Sequence, residues 1–202
     1  MTGFFLTIEG IEGAGKSTLA HELAKALQDN EREIIVTQEP GGSALGNKIR
    51  QILLDRSNVI SDRAELLLFE AARAQHVEET ILPALRRGAI VICDRFADSS
   101  TAYQGYARGI DKDTVRALND FAAAGLVPDL TILLDLPASE GLARQQKIDR
   151  VSSEKLEFHE AVRRGFLELA DTEGDRFIVF DATKSIDEIV EQALIMVMGV
   201  WR

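Results

Sequence analysis

Gly10-Ile11-Glu12-Gly13-Ala14-Gly15-Lys16-Ser17 decides how the rest of the chain is read. The string fits G-x-x-x-x-G-K-[S/T]. It lies directly after the apolar run Phe4–Glu9 and directly before a segment of helical period, Lys16–Gln28, and the pattern needs this strand-loop-helix context in order to act. Glycines let the backbone wrap an anion with its N–H groups turned inward. The following helix N-terminus adds partial positive charge. Lys16 then reaches the outer phosphates of a nucleotide and the Ser17 hydroxyl can ligate Mg²⁺. Gly10, Ile11, Glu12, Gly13, Ala14, Gly15, Lys16, Ser17 and Thr18 are therefore the expected nucleotide-binding residues.

Outward from this loop, short β-branched or aromatic runs alternate with longer helical segments. Five runs read as buried strands: Phe4–Glu9, Ile34–Thr37, Ala89–Asp94, Leu130–Asp135 and Phe177–Asp181. Their apolarity is continuous rather than alternating, which predicts a parallel sheet covered on both faces. Helices are expected over Lys16–Gln28, Ala44–Asp55, Asp62–Arg86, Ser100–Tyr106, Lys112–Ala124, Ser139–Gln146, Ser153–Thr172 and Ile186–Val200. The fold class is α/β, a five-stranded parallel sheet with helices on both faces in the P-loop NTPase manner, as one domain over residues 1–202. Ligands in such sheets bind outside the carboxyl ends of the strands, so the acids ending four of the five runs are placed for function.

The chain has 202 residues, 46% hydrophobic and 28% charged, ordinary for a globular domain. Its 23 Lys and Arg against 33 Asp and Glu give a net charge of -10. Such a surface repels a phosphate backbone, so nucleic acid is not an expected partner and any phosphate must be held locally. Cys93 is the single cysteine and three scattered histidines show no zinc spacing. A start cut off by Glu9 and Glu12 does not read as a signal peptide. The longest apolar run, Ala193–Trp201, falls short of the ~20 residues that span a bilayer. The expectation is a cytoplasmic protein with no membrane partner.

A phosphate loop does not distinguish switch, motor and kinase. The closest string to the N-K-x-D guanine reader is Thr183-Lys184-Ser185-Ile186, with Ile in place of Asp. The chain has no spare length for the larger domains of a motor, so a small-molecule kinase leads. Asp94 and Arg95 follow the third strand in Cys93-Asp94-Arg95-Phe96. An Asp there can hold Mg²⁺ or orient an acceptor oxygen and the planar Arg fork can grip a phosphate; a structural Asp-Arg pair is the other reading. D-R-F-x-x-S-x-x-A-Y-Q from Asp94 to Gln104, E-G-x-E-G-A-G-K-S from Glu9 to Ser17, and Glu39-Pro40-Gly41-Gly42 together resemble thymidylate kinase nearly end to end.

That resemblance implies transfer of the ATP γ-phosphoryl group to dTMP with Mg²⁺, with Ser17 and Asp94 at the metal and Lys16, Asp94 and Arg95 in catalysis. It implies that Phe69 stacks on thymine and Arg73 hydrogen-bonds its carbonyl edge. Taken alone, the pair also reads as a core ring and a surface cation. Tyr103 is expected to pack against the deoxyribose, Gln104 to reach the base, and Glu12 to face the sugar 3′-hydroxyl. Arg50 is similar in position to an arginine that contacts the acceptor phosphate, and Glu39 belongs to the acceptor side. Ser99 and Ser100 can supply hydroxyls or cap a helix. Gln38 departs from the Arg that commonly precedes E-P-G-G in the family.

The loop positions Ile11 to Ala14 contain no arginine, whereas phosphoryl transfer needs positive charge at the equatorial oxygens. The segment around Gly141–Arg150 looks like the family's lid, approximately residues 141–152, and Arg144 and Arg150 are the candidates; a solvated helix end is the plain alternative. Asp181-Ala182-Thr183 is similar to the loop near the ATP adenine, and a strand-to-helix turn capped by Thr183 or Ser185 explains it equally well. His21, His76 and His159 show no partner signature. The resemblance implies a homodimer, although the composition suits a monomer too. The rivals are another nucleoside monophosphate kinase and a noncatalytic ATP-binding regulator.

Overall fold

Phe4–Glu9 forms β1, and all six of its residues are buried, which suits a central strand covered on both faces. In the computed structural model, which describes residues 3–28, 32–145 and 148–201, β1 lies between β3 (Ile90–Asp94) and β4 (Leu130–Asp135). β2 (Ile34–Gln38) and β5 (Phe177–Asp181) form the edges, giving the order β2-β3-β1-β4-β5. Every pairing is parallel. β2 runs one residue beyond the expected Thr37, and β3 begins at Ile90 rather than Ala89.

The register sets Ile8 and Gln38 on either side of Asp94, so β1, β2 and β3 end side by side. The chain runs out to β2, returns to β3 and then crosses β1 to β4. A crevice forms outside the carboxyl ends where this direction reverses.

The helices are α1 (Lys16–Ala26), α2 (Ala44–Leu54), α3 (Asp62–His76), α4 (Leu82–Arg86), α5 (Ala97–Ser100), α6 (Lys112–Ala122), α7 (Ala138–Arg144), α8 (Leu156–Thr172) and α9 (Ile186–Val200). Two π-helical turns interrupt the sequence reading. The single helix expected over Asp62–Arg86 passes through a π turn at Val77–Ile81, just before Pro83, whose missing N–H removes one bond from the ladder. The helix expected at Ser100–Tyr106 begins at Ala97 and widens into a π turn over Thr101–Ala107. Gln146, the expected end of α7, lies outside the described residues.

Alternate side chains of β1 face opposite layers. Leu6 and Ile8 share a core with Leu19 and Leu23 of α1 and with Ala193 and Val197 of α9. Phe5 shares another with Val77, Ile81 and Phe96. Full burial of each such side chain stabilises by ~1.5–3 kcal/mol. A smaller cluster, Ile49 and Leu53 of α2 with Ala72 of α3, supports the half-buried Phe69. On the Phe5 face a polar seam crosses the sheet: the Thr7 and Thr131 hydroxyls lie 2.8 Å apart, and Arg176 donates to Thr131 at 2.7 Å and to Asp98 at 2.7 and 2.8 Å.

The phosphate loop is packed against α7 with no room to spare. A Cβ on Gly13, whose φ is +73°, would lie 2.1 Å from the carbonyl oxygen of Gly141, and a Cβ on Gly141 would lie 2.4 Å from that of Glu12. Two glycines from distant parts of the chain thus permit one backbone contact. Gly141→Ala should force the segments apart and lower stability by ~1–3 kcal/mol, the usual range for overpacking. A urea midpoint equal to that of the wild type would show that the contact yields freely.

Candidate active site

A cleft of about 230 Å³ opens at the ends of β1, β2 and β3. From the phosphate loop, Glu12, Gly13, Lys16 and Ser17 line it. Gly15, in the left-handed region at φ 95°, has nothing within 4 Å of a would-be Cβ, so the backbone borders open space there. Lys16 is 8% exposed and donates from Nζ to the Ile11 carbonyl at 2.7 Å. Burial and the charge of Arg95 lower its pKa to about 8, against the opposing pull of Asp94, Glu12 and Glu9. Thr18 stands exposed in the first turn of α1.

Ser17 donates from Oγ to Oδ2 of Asp94. These two oxygens converge beside the open loop, and no cluster of three metal-ligating side chains exists among the described residues. Mg²⁺ characteristically takes one or two protein oxygens and completes its octahedron with phosphates and water. The pair fits that demand.

Arg95 adopts φ 71°, a conformation that costs of order 1–3 kcal/mol in a bulky residue and persists where its surroundings over-determine it. Its backbone N–H donates to Ile8 O at 3.0 Å. Its guanidinium donates to Gly10 O, Ser99 Oγ, Glu12 Oε1 and Tyr103 Oη at 2.9–3.1 Å. The strained backbone therefore aims one fork at both the phosphate loop and the opposite wall. Ser99 in turn donates to Glu9 at 2.6 Å. Burial, chiefly, with the nearby charge of Asp98, pushes the Glu9 carboxyl up to about 8.

Glu12 accepts from Tyr103 Oη at 2.6 Å and meets His159 Nδ1 at 3.1 Å. An ionised carboxylate only accepts, so this nitrogen carries the proton. Burial alone would raise the Glu12 pKa, but Arg95, His159, Lys16 and Tyr103 hold it well below the ordinary value. The anion beside the phosphate loop is thus compensated by its own neighbours. His159 therefore has a partner where the sequence offered none. Its Nε2 is the only buried side-chain nitrogen or oxygen without a hydrogen-bond partner among the described residues.

The far wall carries Phe69, Ser99, Ser100, Tyr103 and Gln104, with Arg50 above. The Thr101–Ala107 π turn holds both Tyr103 and Gln104, and such turns recur at functional sites. The Tyr103 ring packs edge-on to Phe158 and Phe166 at 6.1 and 6.2 Å. Arg50 donates to Pro40 O at 2.8 Å; burial lowers its pKa, so it stands as a partly desolvated cation.

Arg73, expected at the carbonyl edge of a base, is not among the residues that line the cleft. It is 1% exposed and donates to Glu39, Glu70, Ser100, Asn119 and the Phe96 carbonyl at 2.7–3.1 Å. Its donors are occupied by protein, because a buried guanidinium must be paired to be tolerated. Neither a surface cation nor a cleft wall, it braces the wall from behind. Glu39 lines the cleft but accepts from Arg73 and meets His76 at 3.0 Å, so it too positions its neighbours. His76 is fully buried, and His21 meets Ser17 O at 2.6 Å.

The expected lid arginines also point elsewhere. Arg150 donates to Leu53 O at 2.7 Å and Glu65 Oε2 at 2.6 Å, and Arg144 donates to Ala182 O at 3.0 Å; neither lines the cleft. Arg150 thereby relieves a buried carboxylate and Arg144 holds the Asp181–Thr183 turn, in which Thr183 donates twice to Asp181 Oδ1. Gln145 lines the cleft, while Gln146 and Lys147 lie outside the described residues. Asp135, another strand-end acid, is a bidentate partner of Arg163 at 2.7 and 2.8 Å. Glu65 escaped the sequence reading because an acid in the first turn of a helix is expected for its dipole alone.

The model of the thymidylate kinase family matches residues 8–193. A thymidylate kinase of Desulfovibrio desulfuricans is 50% identical over 199 residues, covering 93% of this chain and 92% of that protein. One from Lactobacillus delbrueckii subsp. bulgaricus is 48% identical over 208 residues, covering 100% and 98%. The crystal structure of thymidylate kinase from Ehrlichia chaffeensis superposes with a TM-score of 0.82 at 32% identity, covering 98% of this chain and 99% of that one. Matches spanning nearly the whole of each protein, on a fold that carries the phosphate loop and the Asp94–Gln104 wall in one cleft, show that the chain belongs to the thymidylate kinase family.

Proposed function

We propose that this chain transfers the γ-phosphoryl group of ATP to dTMP, giving dTDP and ADP, as a step of nucleotide biosynthesis. The observation that carries the reading is the single cleft in which the phosphate loop and the Ser17–Asp94 pair face a ring, a base-reaching amide and two arginines. An acceptor phosphate oxygen attacks the γ-phosphorus while the bond to the β,γ-bridging oxygen breaks, and the ADP keeps that electron pair. Bound at Ser17 and Asp94, Mg²⁺ supplies charge neutralisation on the nucleotide phosphates.

Lys16 moves from Ile11 O to the transferred group, and the loop amides from Gly10 to Thr18 hold the β-phosphate end. Arg95 and Arg50 grip the acceptor phosphate, and Glu12, kept ionised, accepts from the sugar hydroxyl. Phe69 stacks on thymine, with Ser100 and Gln104 at its edge and Tyr103 under the sugar. The Asp181–Thr183 turn, held by Arg144, flanks the adenine. Residues 141–152 act as the lid of a single domain, and Arg144 and Arg150 reach the phosphates only if that segment leaves the contacts described above. The absence among the described residues of a helix long and apolar enough to cross a membrane is compatible with work in the cytoplasm. Leu45 and Ile52 of α2, Leu67 of α3 and Phe121 of α6 are exposed and suit the homodimer that the resemblance implies.

A coupled assay of ADP formation over a panel of nucleoside monophosphates tests the reading: dTMP should be the preferred acceptor. ATP binding without acceptor-dependent turnover would favour a regulator. Lys16→Ala should cost at least ~100-fold in kcat, as loss of one transition-state donor does, in a chain that still folds by circular dichroism. Phe69→Ala should raise the dTMP KM by ~10-fold or more, since base stacking is worth ~1–3 kcal/mol, and leave the ATP KM nearly unchanged. Equal effects on both substrates would count against stacking.

Acid unfolding tests Glu12. Its folded pKa lies below the ordinary 4.5, so the stability it contributes is complete above that pH and is lost as pH falls towards the folded value. Glu12→Gln should therefore melt below wild type at pH 7, and the gap should shrink below pH 4.5. A constant gap would mean that Glu12 is not held ionised.

A further inference from the structure

Glu65, in the first turn of α3, is 1% exposed yet outside the cleft wall. Its Oε1 accepts from Gln104 Nε2 at 2.9 Å and Arg108 Nε at 3.2 Å; its Oε2 accepts from Arg108 at 3.2 Å and Arg150 at 2.6 Å. Gln104, 2% exposed, lines the cleft. The amide oxygen of Gln104 accepts no hydrogen bond from the described residues.

We propose that Glu65 is a positioning residue for acceptor choice: by taking the Gln104 amide N–H it fixes the Gln104 carbonyl toward the cleft, so that the site selects a base edge carrying a ring N–H. A free Gln presents donor and acceptor with equal ease, because its amide can turn over. An ionised carboxylate behind it removes that freedom. Turning the amide would set two acceptor oxygens face to face without solvent, and a buried group left unpaired is costly. Burial would raise the Glu65 pKa, but the hydrogen bonds from Gln104, Arg108 and Arg150 hold it below the ordinary value, so the group stays an acceptor at neutral pH.

The consequence is chemical. Thymine offers a ring N–H between two carbonyls, whereas cytosine offers a bare ring nitrogen at the same place. The fixed Gln104 carbonyl attracts the first and repels the second. Arg150 touches the same carboxylate, so the end of the lid segment and the base-reading amide are joined through one side chain.

The inference rests on the dTMP reading, and the experiment separates the two. With dTMP and dCMP as acceptors, kcat/KM is measured for wild type, Glu65→Gln, Gln104→Leu and the double variant. In Glu65→Gln the new amide can turn its oxygen to the arginines and its N–H₂ to Gln104, which then reverses. The dTMP/dCMP ratio should fall at least ~10-fold, the factor for one misdirected hydrogen bond. In the Gln104→Leu background, Glu65→Gln should not change the ratio further. Should Glu65→Gln not fold, Glu65→Asp keeps the charge, withdraws it from Gln104, and must show the same fall.

Loss of turnover on both acceptors alike, or ratios that multiply in the double variant, would overturn the positioning role. A wild type that does not phosphorylate dTMP at all would overturn the functional reading itself, and this one with it.

Discussion

The guanidinium of Arg95 is the joint on which the site depends. Held in a left-handed backbone conformation at the end of β3, it meets the Gly10 carbonyl and Glu12 on the phosphate loop and Ser99 and Tyr103 on the acceptor wall. Parallel pairing sets Asp94 beside Ile8, so the next residue along β3 emerges level with the start of the loop. Sheet register therefore delivers this cation to the junction between the phosphate loop and the opposite cleft wall. Alanine there would not merely remove a charge. It would leave Glu12 and Tyr103 without the partner that fixes them, and a buried carboxylate without its compensation.

Charge is organised around that joint in opposition to the surface. The chain as a whole carries -10, but Lys16, Arg50 and Arg95 converge on one cleft. The acids nearest them are either neighbours with assigned partners, as Glu12 is, or pushed toward neutrality, as Glu9 is by burial. Coulombic attraction across a few ångströms outweighs a distant surface field screened by ~8 Å of Debye length in physiological salt. An acidic protein can thus hold anions tightly in one pocket while repelling extended polyanions elsewhere.

Much of the architecture was legible because it depends on local pattern. Continuous apolar runs named all five strands to within a residue or two, and the phosphate loop and the Asp94–Arg95 pair fell where strand ends put them, while Phe69, singled out by the resemblance, lies on the cleft wall. What escaped depends on partners far apart in the chain. Arg73 reads as a ligand-reaching or a solvent-facing cation; only the convergence of Glu39 and Asn119, 34 and 46 positions away, with neighbouring Glu70 makes it a buried brace. His159 and Glu12 are 147 positions apart, and no spacing rule announces such a pair. The π turns were hidden for a related reason, since widening a helix by one residue leaves the apolar period nearly intact.

The placing of Arg150 separates two demands that the sequence reading had merged. A cation in a lid serves catalysis only if it is released when needed, whereas Arg150 is tied to Glu65 and to the carbonyl of Leu53. Leaving that carboxylate would strip one of its two arginine partners, and Arg108, already bound to Glu154 at 2.7 Å, would have to carry the compensation. Movement of this arginine away from Glu65 is therefore opposed by the burial of that carboxylate. The same carboxylate thus ties Arg150 to α3 and takes the Gln104 amide, and how firmly it holds Arg150 is set by how well Arg108 and Gln104 satisfy Glu65 alone.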